Sequence, residues 1–261
     1  LPSVKYNKAL WDADYGWSEA GDEWSAPWGS VAMQWRGTIL PRIQRFLPAG
    51  TILEIACGHG RWTQYLQEQC DELTAVDLSP TAVDACRKKF AGCPHVKFAV
   101  TDGKSLDMVA DQSIDFIFSF DSLVHADESI LNAYLGQFAR ILKKDGAAFI
   151  HHSNSAEFSR FTNIQTTSRV RYLLHRLHLL ENPHLRDFSV SAEKVQRMAQ
   201  DHGLTCIGQE INTWLTRHTL IDCFSTIVRQ GSSLARDNVV IRNTAFSQEI
   251  RNLSRLSGIY G

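Results

Sequence analysis

The run TILEIACGHGRWTQYL, residues 51–66, constrains the fold of this chain more than any other stretch. Five largely apolar residues lead into a short turn holding Gly58 and Gly60, and a helix-forming segment follows at once. Such a run reads as a buried parallel strand, a turn where backbone can approach a ligand, and a helix N-terminus. Nineteen residues beyond Gly58 a second apolar run, LTAV, ends in Asp77. An acidic residue at that offset belongs at the tip of the neighbouring strand, where its carboxylate accepts hydrogen bonds from both ribose hydroxyls of a nucleoside. The pair predicts a nucleoside-binding α/β domain.

Two nucleosides compete for it: a nicotinamide dinucleotide and S-adenosylmethionine. The dinucleotide fingerprint G-x-G-x-x-G needs a third glycine for close helix–strand packing. Here the three positions read Gly58, Gly60 and Thr63, and Glu54 stands four residues before Gly58. E-x-A-C-G-H-G resembles motif I, (D/E)-x-x-x-G-x-G, of the class I S-adenosylmethionine-dependent methyltransferases. Cys57 departs from the glycine or proline more usual there. The resemblance covers residues 45–153 well and the remainder loosely. It implies that Glu54 organises the loop near the amino-acid end of the cofactor, that Asp77 holds the ribose, and that Asp102 and Gly103 contact the adenine. Ala56, Gly58, Gly60, Trp62, Leu78 and Phe120 complete the implied cofactor-binding set. The substrate region falls on FSFDSLVH, residues 118–125.

From residue 51 onward strands and helices alternate. TILEIA, LTAVD, VKFAVTD, IDFIFSF and GAAFIHHS read as five strands. Ser79-Pro80 supplies an N-cap and a first-turn proline for the helix TAVDACRKKF. SILNAYLGQFARILKK carries apolar residues at helical spacing, with lysines in its last turn and Gly146 beyond. SAEKVQRMAQDHG forms a further helix, and LTCIGQEINTW with CFSTIVRQ reads as an antiparallel pair closing one edge. The expectation is an α/β, Rossmann-like, mostly parallel seven-stranded sheet with helices on both faces. An N-terminal helical cap over residues 1–50, a core over 51–230 with a lid insertion at 154–190 after the fifth strand, and an extension over 231–261 complete it.

Ligands of such sheets lie at the carboxyl ends of the strands. That rim gathers Glu54, Asp77, Asp102, Asp121, His125, His151 and His152. Methyl transfer from a sulfonium needs mainly orientation and desolvation, but a hydroxyl acceptor must also lose its proton. A histidine beside a carboxylate suits that task, which makes Asp121, His125, His151 and His152 the catalytic candidates. One of His151 and His152 faces the site and the other packs away, because side chains alternate along a strand. Asp121 with one of these histidines is also a candidate holder of a divalent cation such as Mg2+. Simpler readings compete: His125 as a hydrogen-bonded helix start, Asp121 as a turn cap, and either histidine of the pair as structural.

Five of the seven tryptophans precede the core, interleaved with Asp12, Asp14, Glu19, Asp22 and Glu23. They form either a cap burying its aromatics on the domain or a wall over the cofactor that stacks on an apolar substrate face. The insertion carries Arg160, Arg169, Arg171, Arg176 and Arg186 and the partly apolar stretch YLLHRLHLL, which fits a lid or a subunit contact. The tail, with NVVI and FSQEIRNLSRL, is a candidate for reaching across a partner in a homodimer.

A formal net charge of −1 and a pI near 6.9 predict no attraction to nucleic acid or anionic membrane. Six cysteines without a C-x-x-C pair, no long apolar run and no signal-peptide pattern point to a cytoplasmic protein with free thiols. The GDEWSAPWGS opening, motif I, SIDFIFSFDSLVH and FIHHSN resemble bacterial sugar and polysaccharide O-methyltransferases. That finer resemblance implies a small saccharide-like acceptor, a histidine base on His151 or His152, and a divalent ion at Asp121. A small aromatic or natural-product acceptor, methylated on oxygen or nitrogen, is the alternative. A non-catalytic S-adenosylmethionine-binding scaffold is the alternative from another class.

Overall fold

The computed structural model of the chain describes residues 19–158, 186–216 and 218–260. Trp11, Asp12, Asp14, Tyr15 and Trp17 lie outside the described residues, as do YLLHRLHLL and every insertion arginine named above except Arg186.

Eight strands form one sheet: β1 (Ala49–Ile55), β2 (Cys70–Asp77), β3 (Val96–Val100), β4 (Ile114–Ser119), β5 (Leu142–Ser153), β6 (Leu204–Asn212), β7 (Asp222–Arg229) and β8 (Val239–Asn243). Their order is β3-β2-β1-β4-β5-β7-β6-β8. The first five run parallel to one another, and β7 is antiparallel to both β5 and β6. The expected seven strands become eight because NVVI adds to the edge, parallel to β6. The antiparallel pair β6–β7 is present, but β8 and not β6 closes that edge.

Helices α1 (Pro80–Lys89), α2 (Glu128–Ile141), α3 (Ala192–Asp201) and α4 (Phe246–Tyr260) are the long ones among the described residues. Ser79 caps α1 by accepting the Ala82 N–H, and Asp127 caps α2 by accepting the Ile130 N–H. Helix α2 ends sooner than its lysines suggest. Leu142 turns into extended backbone (ψ 133°), so Lys143, Lys144 and Gly146 begin β5. Lys143 then meets Asp115 on β4 at 2.7 Å. Gly146 is required by close approach and not by a helix cap, since a Cβ there would sit 2.8 Å from the Ile114 carbonyl.

The alternation of the strands sorts the core into two layers. Leu53, Ile55, Ile117, Ala148 and Ile150 face α2 and α3. Ile52, Phe116, Phe118, Phe149 and Phe224 face the other way, against Trp28, Trp35, Ile39 and Ile43 of the N-terminal segment and Phe246 and Ile250 of α4. That segment is a broken helical run, a 3-10 stretch Asp22–Trp28 followed by short turns from Val31 to Phe46. The tail helix therefore packs on the N-terminal segment of its own chain. The chain crosses from β3 on one side of β1 to β4 on the other, and a topological switch of that kind leaves a crevice at the strands' carboxyl ends.

Candidate functional site

That crevice is an open cavity of about 1040 Å3. Ile55 to His59 line its floor, Asp77 to Ser79 and Thr101 with Gly103 one wall, and Phe120 to Leu123, His125 and Tyr134 another. Ala20, Gly21 and Trp24 of the N-terminal segment complete the lining, with Arg61 and Trp62 beneath them. Left-handed backbone gathers here: Gly21 (φ 90°), Ala56 (φ 60°), Gly58 (φ 54°), Gly103 (φ 81°) and Asp121 (φ 61°). With Ala20 (φ 56°), three left-handed residues at the cavity are not glycine, and such conformations persist where surrounding structure enforces them, often at functional sites.

The β1 turn is built by its neighbours. Asp77 Oδ2 accepts the Gly58 N–H at 2.8 Å and Oδ1 accepts the Ser79 N–H at 2.9 Å, which fixes the β2 tip against the β1 turn. Glu54 lies behind the turn, fully buried, where its Oε2 accepts the Thr63 hydroxyl at 2.6 Å. Burial raises its carboxyl to about 8, against the opposing Thr63 hydrogen bond and with help from the Asp77 charge. Gly60 does not touch the cavity. A Cβ there would stand 2.5 Å from the Phe90 ring, so this glycine serves packing of the turn on α1. Cys57 sits in the same small cluster as Cys86 and Phe90. A hydrogen bond with Cys86 and burial hold its thiol well above its ordinary pKa, so it stays protonated.

Of the expected cofactor set, Ala56, Gly58, Trp62, Asp77, Leu78, Gly103 and Phe120 line the cavity. Glu54, Gly60 and Asp102 do not. Asp102 is exposed and accepts the backbone N–H groups of Ser105 and Lys104, which hold its carboxyl below the usual range.

The catalytic candidates separate in the same way. His125 and Asp121 line the cavity, whereas His151 and His152 do not. The strand alternation sends the two histidines to opposite faces. His152 enters the layer behind the sheet, its Nδ1–H donating to the Ser153 carbonyl and its Nε2 accepting the Ser225 hydroxyl, each at 2.8 Å. Burial pushes its imidazole down to about 4, so it is neutral. His151 turns to the aromatic layer, in contact with Phe120, Trp214 and Phe224, and accepts the Asp121 N–H on Nδ1 at 3.1 Å.

The residue most visible in the structure and missed in the sequence is Arg61. Its Nη2 donates to Asp121 Oδ2 at 3.1 Å, and its guanidinium lies over Trp24 and Trp62. The Nη1 nitrogen is buried at the cavity and has no partner among the described residues. Its position directly after Gly60 was the available signal. Asp222, which bonds His151, carried none, because only an antiparallel β7 brings its first residue to the end of β5. Among the described residues no three His, Cys, Asp or Glu side chains converge as a metal site. The Asp121 carboxylate faces the Arg61 guanidinium instead, a cation that disfavours Mg2+ there. No described helix is long and apolar enough to cross a membrane.

Residues 52–146 match the family model described as a methyltransferase domain. Nodulation protein S of Rhizobium tropici is 23% identical over 128 residues, 49% of this chain and 53% of that protein. The chain thus spans about half the length of that curated relative. The crystal structure of the N-methyltransferase NodS from Bradyrhizobium japonicum WM9 superposes with a TM-score of 0.51 at 17% identity, covering 74% of this chain and 94% of that one. A Rickettsia typhi protein, PKMT2, solved in complex with AdoHcy, gives a TM-score of 0.52 at 13% identity, covering 81% of this chain and 55% of that one. At these identities the likenesses establish a Rossmann-like methyltransferase fold.

Proposed function

We propose that this chain, whose residues 52–146 match a methyltransferase-domain family model, is a class I methyltransferase that moves a methyl group from S-adenosylmethionine to a small acceptor. One observation carries the reading: a single crevice brings together the Gly58 turn, the Asp77 carboxylate, and a guanidinium nitrogen of Arg61 that has no partner among the described residues. The ribose hydroxyls fit Asp77, the adenine fits between Leu78 and Gly103 on one side and the Leu123–Tyr134 wall on the other, and the methionine carboxylate fits Arg61 Nη1. A buried donor left unpaired is costly, and an anionic ligand group satisfies it. The cofactor supplies an activated methyl group. The chain orients it and, through Trp24, Trp62 and Phe120, keeps water from the reacting atoms.

The acceptor we infer is saccharide-like and methylated on a hydroxyl. Trp24 offers an aromatic face at the cavity, and His125 is the one expected catalytic histidine lining it. His125 is therefore the candidate to take the hydroxyl proton during attack. Likeness to a protein named as an N-methyltransferase supports a second reading, an amine acceptor, which needs less help from a base. Calorimetric titration with S-adenosylhomocysteine and, separately, NADH tests the cofactor. Binding of the first alone is expected, and binding of NADH alone would sink the proposal. Turnover of His125→Ala on hydroxyl-only and amino sugars then separates the two acceptors. A hydroxyl acceptor predicts a loss of about a hundredfold or more, and an amine acceptor a much smaller one.

A further inference from the structure

Behind the cavity, outside the set of residues that line it, three buried side chains form a chain of hydrogen bonds. Arg186 donates through Nη2 to Asp222 Oδ2 at 2.7 Å and through Nε to Oδ1 at 3.1 Å. The same Oδ2 meets His151 Nε2 at 3.0 Å. The other ring nitrogen of His151 meets the Asp121 backbone N–H at 3.1 Å. His151 and Asp222 are fully buried and Arg186 is nearly so. Their surroundings are the rings of Phe120, Trp214 and Phe224, with Arg186 lying over Trp214.

The chemistry of the two ends dictates the state of the ring between them. A backbone N–H can only donate, so Nδ1 must present a bare lone pair to Asp121. The Asp222 carboxylate accepts. Burial alone would raise its pKa, but the charge of the Arg186 guanidinium, with the hydrogen bonds from His151 and Arg186, outweighs that and holds it ionised, below its ordinary value. Nε2 must therefore carry the proton, and His151 is neutral in a single tautomer. The ring's outer hydrogen bond determines what its inner nitrogen can do. Were the proton on Nδ1, two N–H groups would face each other and the Asp121 amide would be buried without a partner, a costly state.

Asp121 needs that anchor. It is a non-glycine residue at φ 61°, and its carboxylate holds Arg61 Nη2 within the cavity. We propose that Asp222 is a positioning residue. It fixes the His151 tautomer so that His151 Nδ1 clamps the left-handed Asp121 backbone, and Asp121 in turn aims Arg61 at the ligand. Arg186 serves by holding Asp222 in place and ionised. No proton moves along this chain; its product is geometry. The link from Asp121 to ligand affinity rests on the cofactor reading above, whereas the tautomer and the clamp do not.

The first test is the ring itself. In the wild-type chain labelled with 15N-histidine, long-range proton–nitrogen correlation at neutral pH should show His151, assigned by its absence in His151→Phe, with a protonated Nε2 and a bare Nδ1. The Asp121 amide should be protected from hydrogen exchange. The second test removes both buried charges together, as Asp222→Leu/Arg186→Met, since cutting one alone leaves the other's buried charge without its counter-charge. The His151 ring should lose its single tautomer, and Asp121 amide exchange and the Kd for S-adenosylhomocysteine should each rise about tenfold, the scale of one lost hydrogen bond. Placed in the His151→Phe background, the same pair of changes should alter both by less than about twofold, because the route to Asp121 is already cut.

A wild-type ring protonated on Nδ1 or on both nitrogens overturns the proposal. So does an equal loss in both backgrounds, which would make the buried pair merely structural. If the double variant fails to fold, the wild-type tautomer and the Asp121 amide decide alone. If the wild type binds no S-adenosylhomocysteine, the cofactor reading fails while the ring and amide measurements still judge the clamp.

Discussion

Replacing Glu54 by glutamine should make the protein more stable at neutral and alkaline pH, and the structure gives the size of the effect. Glu54 is 1% exposed, its Oε2 is engaged by Thr63, and its Oε1 has no partner among the described residues. Burial raises the folded-state pKa to about 8 from an ordinary 4.5. A raised folded pKa means the unfolded chain releases this proton first. The stabilising contribution is therefore whole below pH 4.5 and falls as pH rises, levelling off above about 8. At about 1.4 kcal/mol per pH unit, the loss is about 3 kcal/mol by pH 7. Glutamine has no proton to lose, and its carbonyl can still accept the Thr63 hydroxyl. The stability of Glu54→Gln relative to wild type should thus climb by roughly 3 to 4 kcal/mol between pH 5 and pH 8, on the order of 10 °C in Tm for a chain of this size. Denaturant midpoints for both proteins at pH 5, 6, 7 and 8 measure it. Parallel profiles would refute the reasoning, since they would mean that Glu54 is ionised in the fold like any solvated carboxylate.

Four further outcomes follow from the same geometry. Arg61→Gln should weaken S-adenosylhomocysteine binding ten- to a hundredfold by titration calorimetry, the scale of a charged hydrogen bond at about 1.5–3 kcal/mol. Because His152 is buried neutral with its pKa pushed to about 4, stability should decline as pH falls from 6.5 to 4, by about 3 kcal/mol. His152→Phe should reduce that acid slope in urea melts. Gly60→Ala should cost about 1–3 kcal/mol in a urea melt, because its φ of 84° and the Phe90 ring 2.5 Å from the new Cβ both oppose it. Among histidines, His125→Ala should lower kcat and His152→Ala should leave it within about threefold once folding is confirmed, because only the first lines the cavity.

Much of the fold was legible in the residues because each element announces itself locally. Ser79-Pro80 and Asp127 cap their helices as their side-chain chemistry requires. The alternation along IDFIFS and AAFIHH sorts the core into two faces and sends His151 and His152 to opposite layers, although neither of them lines the cavity as one was expected to. Less legible were the edges of elements. ILKKDG carries a helix-ending composition, yet Lys143 and Gly146 answer to Asp115 and the Ile114 carbonyl on a neighbouring strand, contacts a local reading does not contain. NVVI is only four residues of weak strand pattern, and pairing of Val239–Asn243 with β6 makes the eighth strand.

The candidate site divides along the same line. Sequence spacing alone determined that Gly58 and Asp77 meet, because a strand, a turn, a helix and a second strand have fixed lengths and one allowed handedness. It also determined that the crevice lies at the strands' carboxyl ends. What only the tertiary structure decided is which polar groups face that crevice: His125 and Arg61 do, while Glu54, Gly60, Asp102, His151 and His152 stand behind or beside it. It also decided that Asp222, seventy-one residues after His151, becomes that histidine's partner. The reason is physical. Local sequence fixes backbone rise and side-chain alternation, whereas the direction of an antiparallel strand, and so the neighbours of its first residue, depends on how the whole sheet closes.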